Sequence, residues 1–598
     1  MGGKRDKKRE LGRTENYRLS KDKREKDEGQ PEAKRQRIEE GEQPVLPIYA
    51  TKFSPEDIAA EERRPKKKVA ILLGYSGTGY YGMQLSNTQK TIEGELFAAL
   101  VAVGAISKAN AADPKKSSLV RCARTDKGVH AAGNIVSLKL IVEDPDLVPK
   151  INQKLSHQIR VWGIQVTNKS FSCYQMCDSR VYEYLIPSYC FLPPHPSTRL
   201  GKKIVELAEQ ASDTVQLHER QEEVMTFWDE VDKRCIKPIL EGLPGEVRRI
   251  VERSLYIEED ATSAATPNMD ELVENEHSTE RKDATEESME NSESMPNPQE
   301  TQRLLINEAI KSIKAAYVNA KRKYRIHPKR ISRLQETLSK FVGTKNFHNY
   351  TIQKVYRDPS ARRHIRSFVV NPEPIIVDKT EWLSLKVHGQ SFMMHQIRKM
   401  VSMAALIVRC GCDPNRISES FGPTKLAIPK APGLGLLLER PIFDNYNNKI
   451  QEFGKEKIDF SRYDQEIEEF KRREIYGRIF HEEGETNTYV IHLLLVTIII
   501  IIITLTKFYP DSFASFFNHI DHYQKDYFLY LTSGGLAVAT VAPEPFSTSR
   551  SVKGGKTSEE QGCQHGDDPK CDQKKEEGAL AAIESDPESV IASDQENG

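Results

Sequence analysis

The chain has 598 residues, and its 87 lysines and arginines are balanced by 87 aspartates and glutamates, so the formal net charge is zero. This length allows two or three domains, and a charged fraction of 29 % is typical of a soluble protein. The neutral total does not exclude nucleic-acid binding, because the charges are segregated: basic residues cluster near the N-terminus and at 311–333, and acidic residues cluster at 258–300.

The nine cysteines give no sign of a disulfide framework or a zinc site. No secretory signal is predicted at the start of the chain, so we expect a reducing compartment. The close pairs in the predicted folded part are Cys173/Cys177 and Cys410/Cys412, and neither has the Cys-x-x-Cys spacing of zinc ligands. We therefore expect no bound metal.

Residues 1–65 are predicted to be disordered, because they are rich in charged residues and contain few aromatic or branched apolar side chains. The basic cluster Lys34-Arg35-Gln36-Arg37 is typical of a nuclear-import signal, which favours the nucleus. Acidic residues scattered through this segment argue against a mitochondrial presequence, but the mitochondrion stays open as a second compartment.

The first predicted ordered element is a buried strand at Val69–Leu73, followed by the glycine-rich stretch Gly74–Gln84. This stretch satisfies Gly-x-Gly-x-x-Gly, the pattern of a dinucleotide site. However, the next helical pattern begins only at Thr91, and two tyrosines stand where the backbone would approach a pyrophosphate. We therefore predict a glycine turn with aromatic packing and no nucleotide cofactor, followed by an amphipathic helix at Thr91–Val103.

A charged block at Arg121–Ala131 carries the strongest chemical signal in the chain. Asp126 lies between Arg124 and Lys127, and Gly128 follows where a tight turn could expose the carboxylate. The neighbouring cations would hold Asp126 ionised and could bind a phosphate. A polar hairpin turn is the plainer interpretation of Asp-Lys-Gly. The density of cations around one carboxylate, between strand-like runs, favours a catalytic group.

Strand patterns follow at 135–140, 161–166 and 180–186, and the last would place Tyr182 and Tyr184 on one face. Tyr184 is interpreted as an ordinary core aromatic. Helical periodicity at 201–256 gives way to an acidic segment, 258–302, which we predict to be a disordered insertion between a first catalytic half, 66–257, and a second half, 303–445. The next helical pattern has a basic face that we expect to contact phosphate, formed by Lys311, Lys314, Lys321, Arg322, Lys323 and Arg325.

Two further blocks of the second half could contribute to a site. Ser391–Val401 predicts the start of a helix from which Arg398 can reach inward, although a surface salt bridge is the commoner fate of such an arginine. Ala431–Leu437 predicts a strand region containing Leu434, which could equally be a plain core residue.

The C-terminal part is predicted to consist of a charged helical extension, 446–485, and a tail, 486–598, that is disordered apart from an apolar run at 490–505. This run contains six consecutive isoleucines, Ile498–Ile503, and is slightly short for a membrane span. A membrane anchor is one hypothesis. We prefer the other, that residues near 496–533 come from an error in the gene model.

The block Arg124-Thr125-Asp126-Lys127-Gly128-Val129-His130-Ala131 resembles the active-site motif of the TruA family of pseudouridine synthases. The glycine-rich stretch, the strand with Tyr182, the helix start with Arg398 and the stretch with Leu434 also resemble family blocks, in the same order. Met83 departs from the family pattern, which commonly has tryptophan there. The resemblance covers about Lys66 to Asp444 without the acidic insertion.

This resemblance implies an α+β fold of two similar halves, whose antiparallel or mixed sheets meet at a basic RNA-binding cleft with helices outside and disordered termini. It implies that Asp126 is the essential carboxylate, that Tyr182 stacks on the target base and accepts or relays a proton, and that Arg398 pairs with Asp126. Substrate-binding roles are expected for Arg124, Tyr182, Leu434, Lys127 and His130.

The implied reaction is the isomerisation of uridine to pseudouridine in structured RNA, foremost tRNA and its anticodon stem at positions such as 27/28, with snRNA and mRNA as further candidates. This reaction needs neither a metal nor a cofactor. We expect a monomer or homodimer without membrane association. The alternative is a non-catalytic RNA-binding protein or tRNA chaperone that keeps the cleft without turnover.

Overall fold

The computed structural model describes residues 47–256, 298–352, 354–493, 512–523 and 526–537. The core is one ten-stranded mixed sheet with the order β4-β1-β3-β10-β5-β9-β7-β6, in which β2 pairs with β3 and β8 pairs with β9. The strands are β1 (Lys67–Tyr75), β2 (Val120–Arg121), β3 (His130–Leu140), β4 (Ile159–Val166), β5 (Ser179–Pro187), β6 (Gly343–Asn346), β7 (Arg362–Val370), β8 (Ile375–Val377), β9 (Thr380–Gly389) and β10 (Leu436–Ile442). The predicted α+β fold is confirmed, and the sheet is open.

Helices pack against this sheet and complete the fold. They are α1 (Pro55–Ala59), α2 (Ile92–Ala102), α3 (Leu147–Lys154), α4 (Arg199–Gln210), α5 (Thr214–Gln221), α6 (Phe227–Val231), α7 (Lys237–Glu241), α8 (Gly245–Tyr256), α9 (Pro298–Lys323), α10 (Pro328–Ser339), α11 (Gln396–Arg409), α12 (Arg416–Glu419), α13 (Asp444–Glu452), α14 (Asp464–Phe470), α15 (Gly477–Leu493) and α16 (Phe513–Asp521).

The centre of the sheet is a short parallel pair between strands that are far apart in the chain. Leu437 and Leu438 of β10 lie opposite His130 and Ala131 of β3. On its other side β10 pairs antiparallel with β5, so that Leu438 also faces Tyr182. The segment before β3, which contains Asp126, is thereby brought to the same end of the sheet as strands from the second half of the chain.

The sequence-based boundary between the two halves does not coincide with the boundary in the sheet. β5 belongs to the predicted first half, 66–257, but it pairs with β9 and β10 and lies among second-half strands. Its nearly uninterrupted burial explains this position, because a strand covered on both faces needs neighbours and covering layers from the rest of the chain.

The long excursion between β5 and β6 is helical, as the periodicity predicts. Its helices form a second small apolar cluster that includes Ile236, Val251 and Ile313. Residues 257–297, which contain most of the predicted acidic insertion, lie outside the described residues, and α9 already begins at Pro298.

Two of the predicted disordered segments extend too far into the folded protein. At the N-terminus, the ring of Tyr49 packs edge-on against Phe97, and Ser54 caps α1, so residues 47–65 contain ordered structure. At the C-terminus, Phe513 and Tyr530 are fully buried in the main core. Asp521 of α16 forms a 2.6 Å ion pair with Arg409 at the end of α11.

This packing argues against the gene-model hypothesis for residues 512–533. A segment of unrelated origin would not bury a complementary charge pair and fill the core with its aromatic side chains. Residues 494–505 of the apolar run lie outside the described residues. None of the described helices is long and apolar enough to cross a bilayer.

Candidate functional site

The Asp126 segment is a tight loop fastened to the end of the sheet. Gly128 has a φ of 77°, which supplies the predicted turn, and Val129 N donates to Asp126 O. The hydroxyls of Tyr75 and Thr125 lie 2.8 Å apart. The Asn134 side chain binds both backbone groups of Ala123: its Oδ1 accepts from Ala123 N, and its Nδ2 donates to Ala123 O. These bonds hold the loop rigid while leaving its tip in solvent.

The Asp126 loop packs against the glycine-rich stretch. Met83 N donates to Thr125 O, and Gly128 N donates to Tyr80 O. A Cβ on Gly77 would approach Val129 O to 2.3 Å, and one on Gly82 would approach Thr125 O to 2.6 Å. The glycines are therefore needed because the Asp126 loop packs directly on their backbone. This agrees with the prediction of a glycine turn.

Asp126 faces a histidine from the second half of the chain. Its Oδ2 lies 3.2 Å from Nδ1 of His395, and 45 % of its side chain is exposed, against 15 % for His395. The His395 imidazole is the main cause that lowers the pKa of Asp126, and the charges of Arg398 and Lys430 add to it while partial burial opposes them. The carboxylate is thus kept ionised at neutral pH.

His395 reaches Asp126 from an unusual backbone conformation. It is the N-cap residue of α11 and has a φ of 60°, in the left-handed region, where a side chain costs about 1–3 kcal/mol of strain. The positive end of the α11 dipole lies beside it and also favours the carboxylate. The pairing of Arg398 with Asp126 stays a prediction that its charge supports, and His395 is a second basic neighbour that the sequence analysis did not name.

Arg398 itself anchors the segment that carries Leu434. Its Nε donates to Ala431 O at 2.5 Å, and Ala431 N donates back to Arg398 O. Arg398 therefore positions the 431–435 segment and supplies positive charge to Asp126 at the same time. Leu434 is half-buried beside it, which is compatible with a pocket wall.

Tyr182 is close enough to Asp126 for the charge of that carboxylate to act on its phenol. Its ring contacts Phe392 edge-to-face, with centroids 5.3 Å apart. Burial raises the pKa of Tyr182 to about 12, so its phenol remains protonated at neutral pH and can donate or relay a proton rather than act as a base. Tyr184 is a core residue as predicted, with its hydroxyl bonded to Pro432 O.

The other predicted substrate-binding residues divide into two groups. Arg124 and Lys127 are exposed beside Asp126, and Lys127 Nζ lies 5.0 Å from the ring centroid of Tyr81. His130, by contrast, is fully buried, and its Nδ1 accepts from Gly77 N. The prediction that His130 binds substrate is wrong in this structure, because strand β3 turns its side chain into the core.

The predicted basic face of α9 is partly used for packing. Lys321 is half-buried with its Nζ 5.7 Å from the ring centroid of Trp228, and Arg322 donates to Gly484 O. Arg325 donates to three carbonyl oxygens, including that of Lys379. Of the six cations, Lys311, Lys323 and Arg325 are exposed. Phosphate contacts remain a prediction for those three.

Comparison with known proteins places this geometry in a family. A family model described as tRNA pseudouridine synthase matches residues 338–444, the range that contains His395, Arg398 and Leu434. The tRNA pseudouridine synthase 1 of Yarrowia lipolytica is 42 % identical over 439 residues, which are 71 % of this chain and 73 % of that protein.

Two other relatives extend the similarity. The tRNA pseudouridine synthase 1 of Schizosaccharomyces pombe is 38 % identical over 527 residues, 82 % of this chain and 90 % of that protein. The tRNA pseudouridine(27/28) synthase of Saccharomyces cerevisiae is 36 % identical over 426 residues, 70 % of this chain and 96 % of that protein. The chain therefore belongs to the TruA family of tRNA pseudouridine synthases, isomerases that act on uridine in tRNA.

Proposed function

We propose that this enzyme converts uridine to pseudouridine in the anticodon-stem region of tRNA, including positions 27/28, and that Asp126 is its essential catalytic carboxylate. The similarity to the tRNA pseudouridine(27/28) synthase of Saccharomyces cerevisiae supports the choice of positions. Other structured RNAs, among them snRNA and mRNA, are proposed as further substrates, because a cleft that recognises RNA by shape accepts similar folds.

One observation carries the assignment of Asp126. Its carboxylate is ionised and half exposed at the end of the sheet where both halves of the chain meet. The groups that lower its pKa are His395, Arg398 and Lys430, all from the second half of the chain. A carboxylate placed in this way can act on a base or sugar that enters from solvent while the surrounding cations offset the negative charge of RNA.

The target uridine must leave its helix to reach this carboxylate. Flipping a nucleotide costs a few kcal/mol, which contacts to phosphates and stacking in the pocket can offset. In the proposed arrangement the exposed Arg124 and Lys127 hold the flipped strand, and Tyr182 and Leu434 enclose the base. The enzyme breaks the glycosidic N–C bond, turns the uracil and joins it again through carbon, so no group donor is consumed.

Replacing Asp126 tests this proposal directly. We expect Asp126→Asn to lower the rate of pseudouridine formation in transcribed tRNA by about 10³-fold or more, measured by chemical labelling of pseudouridine. RNA affinity should be retained, because the change removes one negative charge. Asp144→Asn, at a carboxylate paired with Lys150 away from the loop, is the matched control and should keep the wild-type rate.

Pseudouridine formed by Asp126→Asn at the wild-type rate would refute the assigned role.

We also propose the nucleus as the compartment of this enzyme, on the basis of the cluster Lys34-Arg35-Gln36-Arg37.

A further inference from the structure

Two adjacent tyrosines of the glycine-rich stretch have different surroundings. Tyr80 is 1 % exposed, and its hydroxyl donates to Glu95 Oε2 at 2.8 Å and lies 3.0 Å from Ser156 Oγ. Tyr81 is 54 % exposed, and its hydroxyl makes no hydrogen bond to any residue that the structure describes. The predicted aromatic packing of this stretch therefore accounts for Tyr80 and leaves the Tyr81 ring without a role in the core.

Backbone contacts hold Tyr81 beside the Asp126 loop. Tyr81 N donates to Lys90 O at 2.9 Å. The next residue, Gly82, has a φ of 89° and lies so close to the loop that a Cβ on it would approach Thr125 O to 2.6 Å and the Asp126 carbonyl carbon to 3.2 Å. The backbone therefore fixes the position of Tyr81 relative to Asp126, while the side chain of Tyr81 is exposed.

A cation from the same loop lies over this ring. Lys127 Nζ is 5.0 Å from the ring centroid of Tyr81. Lys127 is exposed and forms no ion pair with the carboxylates of the described residues. A cation–π contact at an exposed site contributes only weakly to folding. An aromatic ring beside a cation does, however, provide the two contacts by which proteins bind unpaired nucleotides, because bases stack on the ring and the cation attracts the phosphate.

Base flipping creates a need for such a ring. When a uridine leaves its stem, the neighbouring bases lose a stacking partner. An exposed aromatic side chain can replace that partner for any sequence, because every base has a π-face. Tyr182 is only 8 % exposed, and in the proposed arrangement it encloses the flipped uracil itself. Tyr81 is exposed beside Asp126, so it is accessible to the nucleotides on either side of the target.

We propose that the Tyr81 ring stacks on a base next to the flipped uridine in the bound tRNA strand, and that Lys127 contacts a phosphate of that strand. This inference rests on the proposed function and deepens it, because it names the residue that contacts the neighbour of the target base. The stacking requires the ring and not the hydroxyl, since the hydroxyl of Tyr81 has no partner among the described residues.

The experiment uses the full-length protein and tRNA that carries the fluorescent base 2-aminopurine on one side or the other of the target uridine. Stacking on an aromatic ring quenches this probe. We expect the wild-type protein and Tyr81→Phe to quench it at one of the two positions, and Tyr81→Ala to leave it bright. The affinity of Tyr81→Ala for tRNA should fall by about 10-fold, and Tyr81→Phe should keep the wild-type affinity.

The salt dependence of binding distinguishes the ring from its cation. Tyr81→Ala should leave the slope of log K against log salt unchanged, because the ring carries no charge. Lys127→Met should reduce this slope by about 0.7–0.9, the value for one lost phosphate contact. Phe453→Ala, which removes a 75 % exposed aromatic side chain after α13, is the control and should change neither the probe signal nor the affinity. Thermal unfolding of each variant establishes that it is folded.

Fluorescence and turnover separate the two proposals. If the wild-type enzyme forms pseudouridine but Tyr81→Ala quenches the probe and binds tRNA as the wild type does, the stacking contact is refuted and the proposed function stands. If the wild-type enzyme forms no pseudouridine in tRNA, the proposed function fails whatever the fluorescence shows. A loss of affinity in Tyr81→Phe as large as that in Tyr81→Ala would also count against stacking, because it would assign the effect to the hydroxyl.

Discussion

Charged groups lie on both faces of β5 and β10, but they differ in burial and in how far their charges are balanced. On one face, Lys471 forms ion pairs with Glu439 at 2.7 Å and Glu183 at 3.5 Å, and all three side chains are at most 8 % exposed. On the other face, behind Tyr182, Asp126 is 45 % exposed and is surrounded by more positive charge than it balances. The neighbours Tyr182 and Glu183 belong to different faces because side chains alternate along a strand.

The difference between the faces lies in how completely each charge is satisfied. Glu183 also accepts from Tyr476 and Ser384, so the buried cluster is closed and has no capacity left for a ligand. It fastens the helical segment 464–476 to the back of the sheet. The Asp126 face leaves its carboxylate in solvent with lysines nearby, and this excess positive charge is suited to RNA. The first arrangement serves folding, and the second is the one that we propose for binding and catalysis.

The largest effect on stability is expected from breaking the closed cluster. Lys471→Met should lower the free energy of unfolding by about 3–5 kcal/mol, because Glu183 and Glu439 would remain buried without their counter-ion. Chemical denaturation measures this change. Arg234→Met, in an exposed pair with Glu230, is the control and should cost less than about 1 kcal/mol. If Lys471→Met lowers the free energy of unfolding by no more than the control does, the distinction between the two faces is wrong.

A smaller effect is expected from acid. Burial lowers the pKa of His130 to about 4, against an ordinary value of 6.5, so the unfolded chain binds a proton in this range that the folded protein does not. His130 therefore reduces stability progressively as the pH falls from 6.5 to 4, by about 3 kcal/mol in total. Denaturation at several pH values should show a shallower acid loss in His130→Gln. An unchanged pH dependence would contradict a neutral, buried His130.

The smallest effect is expected at the open face. His395→Gln removes the main cause that lowers the pKa of Asp126, so that pKa should rise and the acid limb of kcat/KM should move to higher pH. Stability should change by less than about 1 kcal/mol, because the contact is partly exposed. If the acid limb stays in place, Arg398 and Lys430 must supply the effect assigned to His395.

The local parts of the site were predictable from the sequence because their signals are local. Gly128 marks the turn that exposes Asp126, and the alternation around Tyr182 marks a strand. Thr91 caps α2 at the predicted helix start. His395 was missed although it lies in a block that the sequence analysis singled out, since a histidine next to a helix start has no distinctive pattern. The sequence does not predict the left-handed backbone conformation from which His395 reaches Asp126.

The chain order alone determined that an acidic group between two cations would be presented on a glycine turn, because turn geometry depends on a few adjacent residues. Only the tertiary structure decided which distant groups surround that carboxylate. It also decided that β5 lies among second-half strands and that residues 512–523 and 526–537 contribute to the core. The physical reason is that long-range strand pairing and burial are settled by the packing of the whole molecule. Asp126 and His395 are separated by most of the catalytic module in sequence, and the parallel contact between β3 and β10 brings their two halves together.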